Sequence, residues 1–196
     1  MSEPMRISPK YNVEHWKALD FSKEDGWQKA IDIFEDRIQG RFLNIIDTIE
    51  SREYAGFAVL ALDCLLIETL QQFREGKSET PSRKSEEYFI RFLTETSFKQ
   101  FFDSRIARMF YYQIRCGILH QAEVRESSLV LIQKETPLVS KTVDRKGLVI
   151  NRKLFHTQLV NEFEKYLSLL RDSSNSELRH KLKKKMDYIC RITIGD

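Results

Sequence analysis

The sequence contains few of the features from which common catalytic and binding scaffolds are built. Its seven glycines are scattered, and neither GxxxxGK[ST] nor GxGxxG occurs, so no glycine-rich phosphate loop is expected. A GxSxG elbow and an HExxH metal motif are also missing. The four histidines, at 15, 120, 156 and 180, are too dispersed for a zinc site, and no cofactor is expected. Cysteine is rare: Cys64, Cys116 and Cys190 are odd in number, far apart and without a CxxC pair. Cys64 and Cys116 sit in helical patterns, which predicts reduced, buried thiols in a cytoplasmic protein. The longest apolar run, 55–67, is interrupted by Asp63 and is too short to span a bilayer, so no membrane partner is expected. The opening MSEPMRISPKYN has no apolar stretch of the secretory kind.

The 196 residues suit one domain of ordinary size or one with small appendages, and 41% hydrophobic residues are enough for a real core. Net charge is +3, unevenly spread: residues 179–191 carry six Lys or Arg against one acid, leaving the remainder slightly acidic. Lys183, Lys184 and Lys185 at the centre of that tract are candidate RNA contacts. A solvated helix face accounts for the same charge equally well.

Hydrophobic spacing predicts a mainly helical chain. Residues 1–23 read as an arm pinned by Trp16, Leu19 and Phe21. Trp27, Ile31, Phe34, Ile38, Phe42, Ile45 and Ile49 recur at helical spacing over 24–49, with Gly40 a point of weakening or bending. The most hydrophobic helix, 54–74, is apolar almost all round and is stopped by Gly76. Its two acids, Asp63 and Glu68, either reach solvent at the helix rim or pair with an arginine of the 103–121 helix, because an unpaired buried charge costs several kcal/mol. A polar loop (76–85), a short helix (86–94) and a single turn capped by Ser97 follow.

Beyond His120 the period changes, and 128–133, 138–143 and 147–150 read as short strands separated by turn signals at Pro137 and 144–147. A β-meander at about 127–150 is the expected form. Asn151 then caps an amphipathic helix, 152–170, with Leu154, Phe155, Leu159, Phe163, Tyr166, Leu167 and Leu170 inward. SSNS at 173–176 is a hinge before a basic helix that completes the segment 173–196.

The stretch FDSRIARMFYYQIRCGILHQ, 102–121, carries the chemistry. Asp103 or Ser104 caps its start, and Ile106, Phe110, Ile114 and Gly117 form a core-facing line. Arg105, Arg108, Tyr112 and Arg115 share another face, with His120 further along. Arginine is a fixed cation for phosphate, and histidine moves a proton near neutrality. Arg105, Arg108 and Tyr112 would extend the track along an RNA backbone. Five residues place Arg115 and His120 about 140° apart on an ideal helix, so one chain does not close both on one group. A twofold pairing of two such helices would.

Arg115, four residues and His120, on the last core helix of a helical layout, resemble the HEPN superfamily (higher eukaryotes and prokaryotes nucleotide-binding domain). DGWQKAIDIFEDRIQGRFLNII, AVLALDCLLIETLQQFREG and FYYQIRCGILHQAE extend the resemblance over about 27–170. It implies a HEPN-like helical bundle over 24–172 with the small β-meander inserted before the last two helices. It further implies a homodimer through the 103–121 helix and metal-independent RNA cleavage by 2′-OH attack, in a toxin or phage-defence setting with a cognate antitoxin. Arg115 and His120 match the motif's catalytic pair, with Glu68 or Asp63 orienting Arg115. Cys116 stands where the family frequently has Asn, Asp or another polar residue. Some members bind RNA, nucleotide or a protein partner without cleaving, which is the alternative reading.

Overall fold

The computed structural model describes residues 4–192; the ends of the expected arm and of the expected basic segment, 1–3 and 193–196, lie outside the described residues. The chain is mainly helical with one small three-stranded sheet, and it divides into two compact units. One comprises Met1–Ile45, Gln72–Glu79 and Phe163–Asp196; the other comprises Ile46–Gln71 and Thr80–Glu162.

In the first unit, a short helix α1 (Val13–Lys17) is capped by Asn12, whose side chain accepts from the backbone of Glu14 and His15. Helix α2 (Glu24–Ile38) passes through a π turn at Gln39–Leu43 into α3 (Asn44–Ile49), which begins in this unit. The π turn spans Gly40, where bending was expected. Its wider turn shifts the apolar register that follows. Ile46 is therefore fully buried, and Ile45, expected inward, is 47% exposed.

The core of this unit centres on Phe34, whose ring lies 4.5 Å from Phe73, 5.8 Å from Phe163 and 5.9 Å from Tyr166. Phe73 lies in the last turn of α4 (Gly56–Glu75), and Phe163 and Tyr166 belong to α8 (Arg152–Arg171). Trp16 and Phe21, two of the residues expected to pin the arm, both have packing partners. Trp16 is buried and donates from Nε1 to Asp187 Oδ1 at 2.8 Å, and Phe21 packs edge-on against Trp27 at 4.8 Å. Asp187 lies on the last helix, α9 (Ser176–Ile189).

The second unit carries the site. It includes most of α4, then α5 (Ser85–Glu95), a 3-10 turn (Ser97–Gln100), α6 (Ser104–Met109), a π turn (Phe110–Arg115) and α7 (Cys116–Gln121). Thr96, rather than Ser97, caps the 3-10 turn, accepting from Phe98 N; the Ser97 hydroxyl instead donates to Glu162 at 2.5 Å. The aromatic core stacks Phe110 on Phe155 at 4.9 Å, with Phe98 5.2 Å from Phe155 and Phe102 5.6 Å from Phe110. Leu154, expected inward, is 42% exposed, and His156, two positions on, is buried.

Three strands fall where expected: β1 (Leu129–Leu131), β2 (Val139–Lys141) and β3 (Leu148–Asn151). They are not a meander. The order is β1-β3-β2, with β1 parallel to β3 and β2 antiparallel to it. Side-chain pinning explains the arrangement. Ser128 Oγ accepts from Leu148 N at 3.0 Å, and Ser127 Oγ donates to Asp144 in the β2–β3 turn at 2.7 Å. Both contacts fix the start of β1 beside the start of β3. A Cβ at Gly147 would stand 2.5 Å from Ser127 C and Ser128 N, so only glycine admits this approach. The connection from β1 to β2 is held by Asn151, whose Nδ2 donates to Gln133 O and Thr136 O at 2.9 and 3.0 Å. Its Oδ1 accepts from Leu154 N, as expected of a cap for α8.

Among the described residues one helix, Gly56–Glu75, is long and apolar enough to cross a membrane by length and composition, and half of its most apolar stretch is buried within the chain. Both of its interrupting acids have partners, described next.

Candidate functional site

The helical path 103–121 starts as predicted. Asp103 Oδ1 accepts from Ile106 N at 2.7 Å, so Asp103 is the cap. The single α-helix expected there is interrupted by the π turn at Phe110–Arg115. Phe110 and Tyr111 are consecutive and both buried, Phe110 on Phe155 and Tyr111 edge-on to Phe89 at 5.7 Å. A wider turn carries successive side chains through a smaller angle, which lets both rings enter the core. Regular α-helix resumes at Cys116, so Arg115 is the last residue of the π turn and His120 lies on the α-helical segment that follows.

Arg115 sits where the two helical styles meet, with its side chain 15% exposed. Its Nη2 donates to Glu68 Oε2 at 3.1 Å and to Ser85 Oγ at 3.2 Å, and Ser85 Oγ donates to the same Glu68 oxygen at 2.8 Å. Nη1 lies 3.8 Å from Cys116 Sγ, and the guanidinium lies over the Tyr111 ring, 5.2 Å from its centre. Burial opposes the charge, but Cys116, Tyr111 and Glu68 outweigh it and raise the arginine's pKa. Arg115 is thus a fixed, oriented cation. Its partner acid is Glu68 on α4.

Asp63 takes a different partner. Its Oδ1 lies 2.8 Å from His156 Nδ1, with both side chains almost wholly buried, and His156 Nε2 lies 3.8 Å from Asp47. Burial alone would disfavour the charged imidazole, yet the hydrogen bond and charge of Asp63, followed by Asp47 and Glu50, raise its pKa. Burial also raises the pKa of Asp63. His156 was no part of the sequence-derived site. It lies one position from Phe155 on the inward stripe of its helix, and Asp63 interrupts the most apolar helix. A titratable group on each of two core faces is the signal that pairs them.

His120 is exposed near the end of α7, before Ala122 reverses the chain with φ of 54°. It has no hydrogen-bond or ion-pair partner among the described residues. Gly117 makes the reversal possible: a Cβ there would meet Glu123 O at 2.5 Å. The close approach expected at this glycine is the chain's own return.

Arg105, Arg108 and Tyr112 line a surface cavity of about 470 Å³ together with Ser104, Met109 and Gln113. Arg105 has no partner among the described residues. Arg108 Nε lies 3.3 Å from Glu86 Oε1, and the Tyr112 hydroxyl donates to Glu86 Oε2 at 2.5 Å. The first turn of α5 therefore supplies two side chains that sequence reasoning missed: Ser85 on Arg115, and Glu86 on Arg108 and Tyr112. SEE opening a short amphipathic helix shows only acids favourable at a helix start.

The lysines of α9 are placed differently from one another. Lys185 is buried and donates to Gln72 Oε1 at 2.7 Å and to the Ser78 carbonyl. Lys183 pairs with Asp187 at 2.6 Å and lies over Phe21 at 4.9 Å. Lys184 alone of the three is exposed and without a partner among the described residues. Nearby Arg179 is buried, and its fork grips Glu24 at 2.7 and 2.8 Å, holding that carboxyl down at about 2.

Among the described residues no group of three or more His, Cys, Asp or Glu is arranged to hold a metal ion. Comparison of the chain with family models, with curated proteins and with solved structures found no match.

Proposed function

We propose that the protein is a HEPN-type, metal-independent endoribonuclease, acting in the cytoplasm as a homodimer through the 103–121 helix. The observation that carries the reading is Arg115, held half-buried by Glu68 and Ser85, with His120 exposed five positions later on the same helix. In the twofold arrangement, His120 removes the proton from a ribose 2′-hydroxyl, and the 2′-oxygen attacks the adjacent phosphorus. The 5′-oxygen of the next nucleotide leaves and takes a proton from the imidazolium. Arg115 meets the charge that develops on the phosphoryl oxygens. Glu68 and Ser85 are positioning residues, since they act through Arg115. The resemblance extends the proposal to a toxin or phage-defence role and a cognate antitoxin.

The experiment is incubation of purified protein with RNA in the presence of a chelator. Fragments ending in 2′,3′-cyclic phosphate and 5′-hydroxyl are expected; 3′-hydroxyl ends, or cleavage only with added metal, would refute the mechanism.

A second reading, a non-catalytic module that binds RNA, nucleotide or a protein partner, is favoured by one observation: Arg115 already has its counter-charge within the chain, beside Cys116. Under it, RNA stays intact and saturable binding is lost in Arg115→Ala.

A further inference from the structure

Two acids open α5, and they are used differently. Glu87 pairs with Lys84, the residue that precedes the helix, at 2.6 Å. Glu86 instead takes Arg108 with one carboxylate oxygen and the Tyr112 hydroxyl with the other. Its hydrogen bond and charge raise the pKa of the Tyr112 phenol, so the phenol stays a donor. Both partners of Glu86 belong to the 470 Å³ cavity, whose volume is within the range of small-ligand sites, about 300–1,000 Å³. The cavity combines two guanidinium groups with a half-exposed tyrosine ring and Met109. Guanidinium beside an aromatic face suits one nucleotide of a single strand, with phosphate on the cations and base on the ring.

We propose that this cavity is a nucleotide subsite for single-stranded RNA, and that Glu86 is a built-in competitor that occupies Arg108 and Tyr112 until phosphate displaces it. The proposal rests on the RNA-facing part of the reading above and not on cleavage. Arg105 is the cation a strand meets first, because nothing among the described residues holds it. Arg108 becomes available only when Glu86 lets go. The exposed Arg108–Glu86 contact is weak enough for a phosphate to replace.

The test is binding of a fluorescent 2′-O-methyl oligouridylate, which cannot supply an attacking 2′-hydroxyl, with inorganic polyphosphate as a second probe. Glu86→Gln is expected to tighten oligouridylate binding about threefold to tenfold and to steepen its salt dependence by about one phosphate contact. Arg108→Gln in that background reverses both changes. Tyr112→Ala weakens oligouridylate binding about fivefold or more while leaving polyphosphate unaffected, and Tyr112→Phe retains it.

Unchanged affinity and salt slope in Glu86→Gln would overturn the proposal. So would equal oligouridylate binding by wild type and Tyr112→Ala, or no binding by either wild type or Glu86→Gln. If these binding effects appear while unmodified RNA is never cleaved, the nuclease reading fails and the subsite stands.

Discussion

Arg115 and Glu68 form an ion pair at 3.1 Å between the π turn and α4, and Ser85 bonds to both partners. The pair is mostly withdrawn from solvent, with side-chain exposures of 15% and 19%. Removing one member of such a pair leaves the other charge poorly solvated, at a cost of about 3–5 kcal/mol when burial is complete. Here Arg115→Ala and Glu68→Ala should each destabilise by about 2–3 kcal/mol, since some solvent remains. The double variant should fall short of the sum by about 1 kcal/mol or more. Urea unfolding midpoints at constant slope measure this; strict additivity would show that the two groups do not act as a unit.

His156 and Asp63 make stability depend on pH in a definite direction. The folded-state pKa of His156 is raised above its ordinary value near 6.5, so its contribution is complete below 6.5 and is lost as pH rises through the folded value. Asp63, also raised, likewise favours the fold in its protonated state. Stability should therefore decline from mildly acidic pH towards alkaline pH, and His156→Gln should flatten that decline. Thermal unfolding between pH 5 and 9 reads the slope. An increase with pH over the histidine range would contradict the assignment.

Gly147 is required by contact with backbone, not with a flexible side chain. Gly147→Ala places Cβ 2.5 Å from Ser127 C and Ser128 N, so β1 must move. A loss of about 1–3 kcal/mol is expected. It should be accompanied by faster amide exchange at Leu148, whose N–H the Ser128 hydroxyl accepts. Wild-type stability would mean that the parallel pairing of β1 is not held by this approach.

The proposed dimer predicts complementation. Arg115→Ala and His120→Ala should each be inactive alone. Mixed subunits, formed by joint refolding, should recover part of the activity, because each cleft draws on both chains. No recovery despite dimer formation would mean that Arg115 and His120 do not form a composite site.

The sequence pattern located the longer helices and the strands because burial leaves a period of 3.6 or 2, but the five-residue α1 within the expected arm left no such period. It missed the two π turns, since one widened turn shifts a stripe without erasing it; Ile46 replacing Ile45 in the core is the visible result. Parallel pairing of β1 with β3 depends on two serine hydroxyls and a glycine, none of which alters strand alternation. Within the site, Glu68 was legible as an acid in need of an arginine. Ser85 and Glu86 were not, because a short polar helix start looks the same whether it faces water or a guanidinium. Lys183 and Lys185 illustrate the limit from the other side: charge along a helix does not reveal which ammonium groups already have partners.

The most direct test of the central claim is RNA cleavage by His120→Ala beside wild type, with both proteins shown to fold and dimerise. His120 is exposed and has no partner among the described residues, so its removal should leave stability unchanged. Cleavage should fall by at least about 100-fold, the usual contribution of a general acid or base. Cleavage by His120→Ala at the wild-type rate would contradict the account.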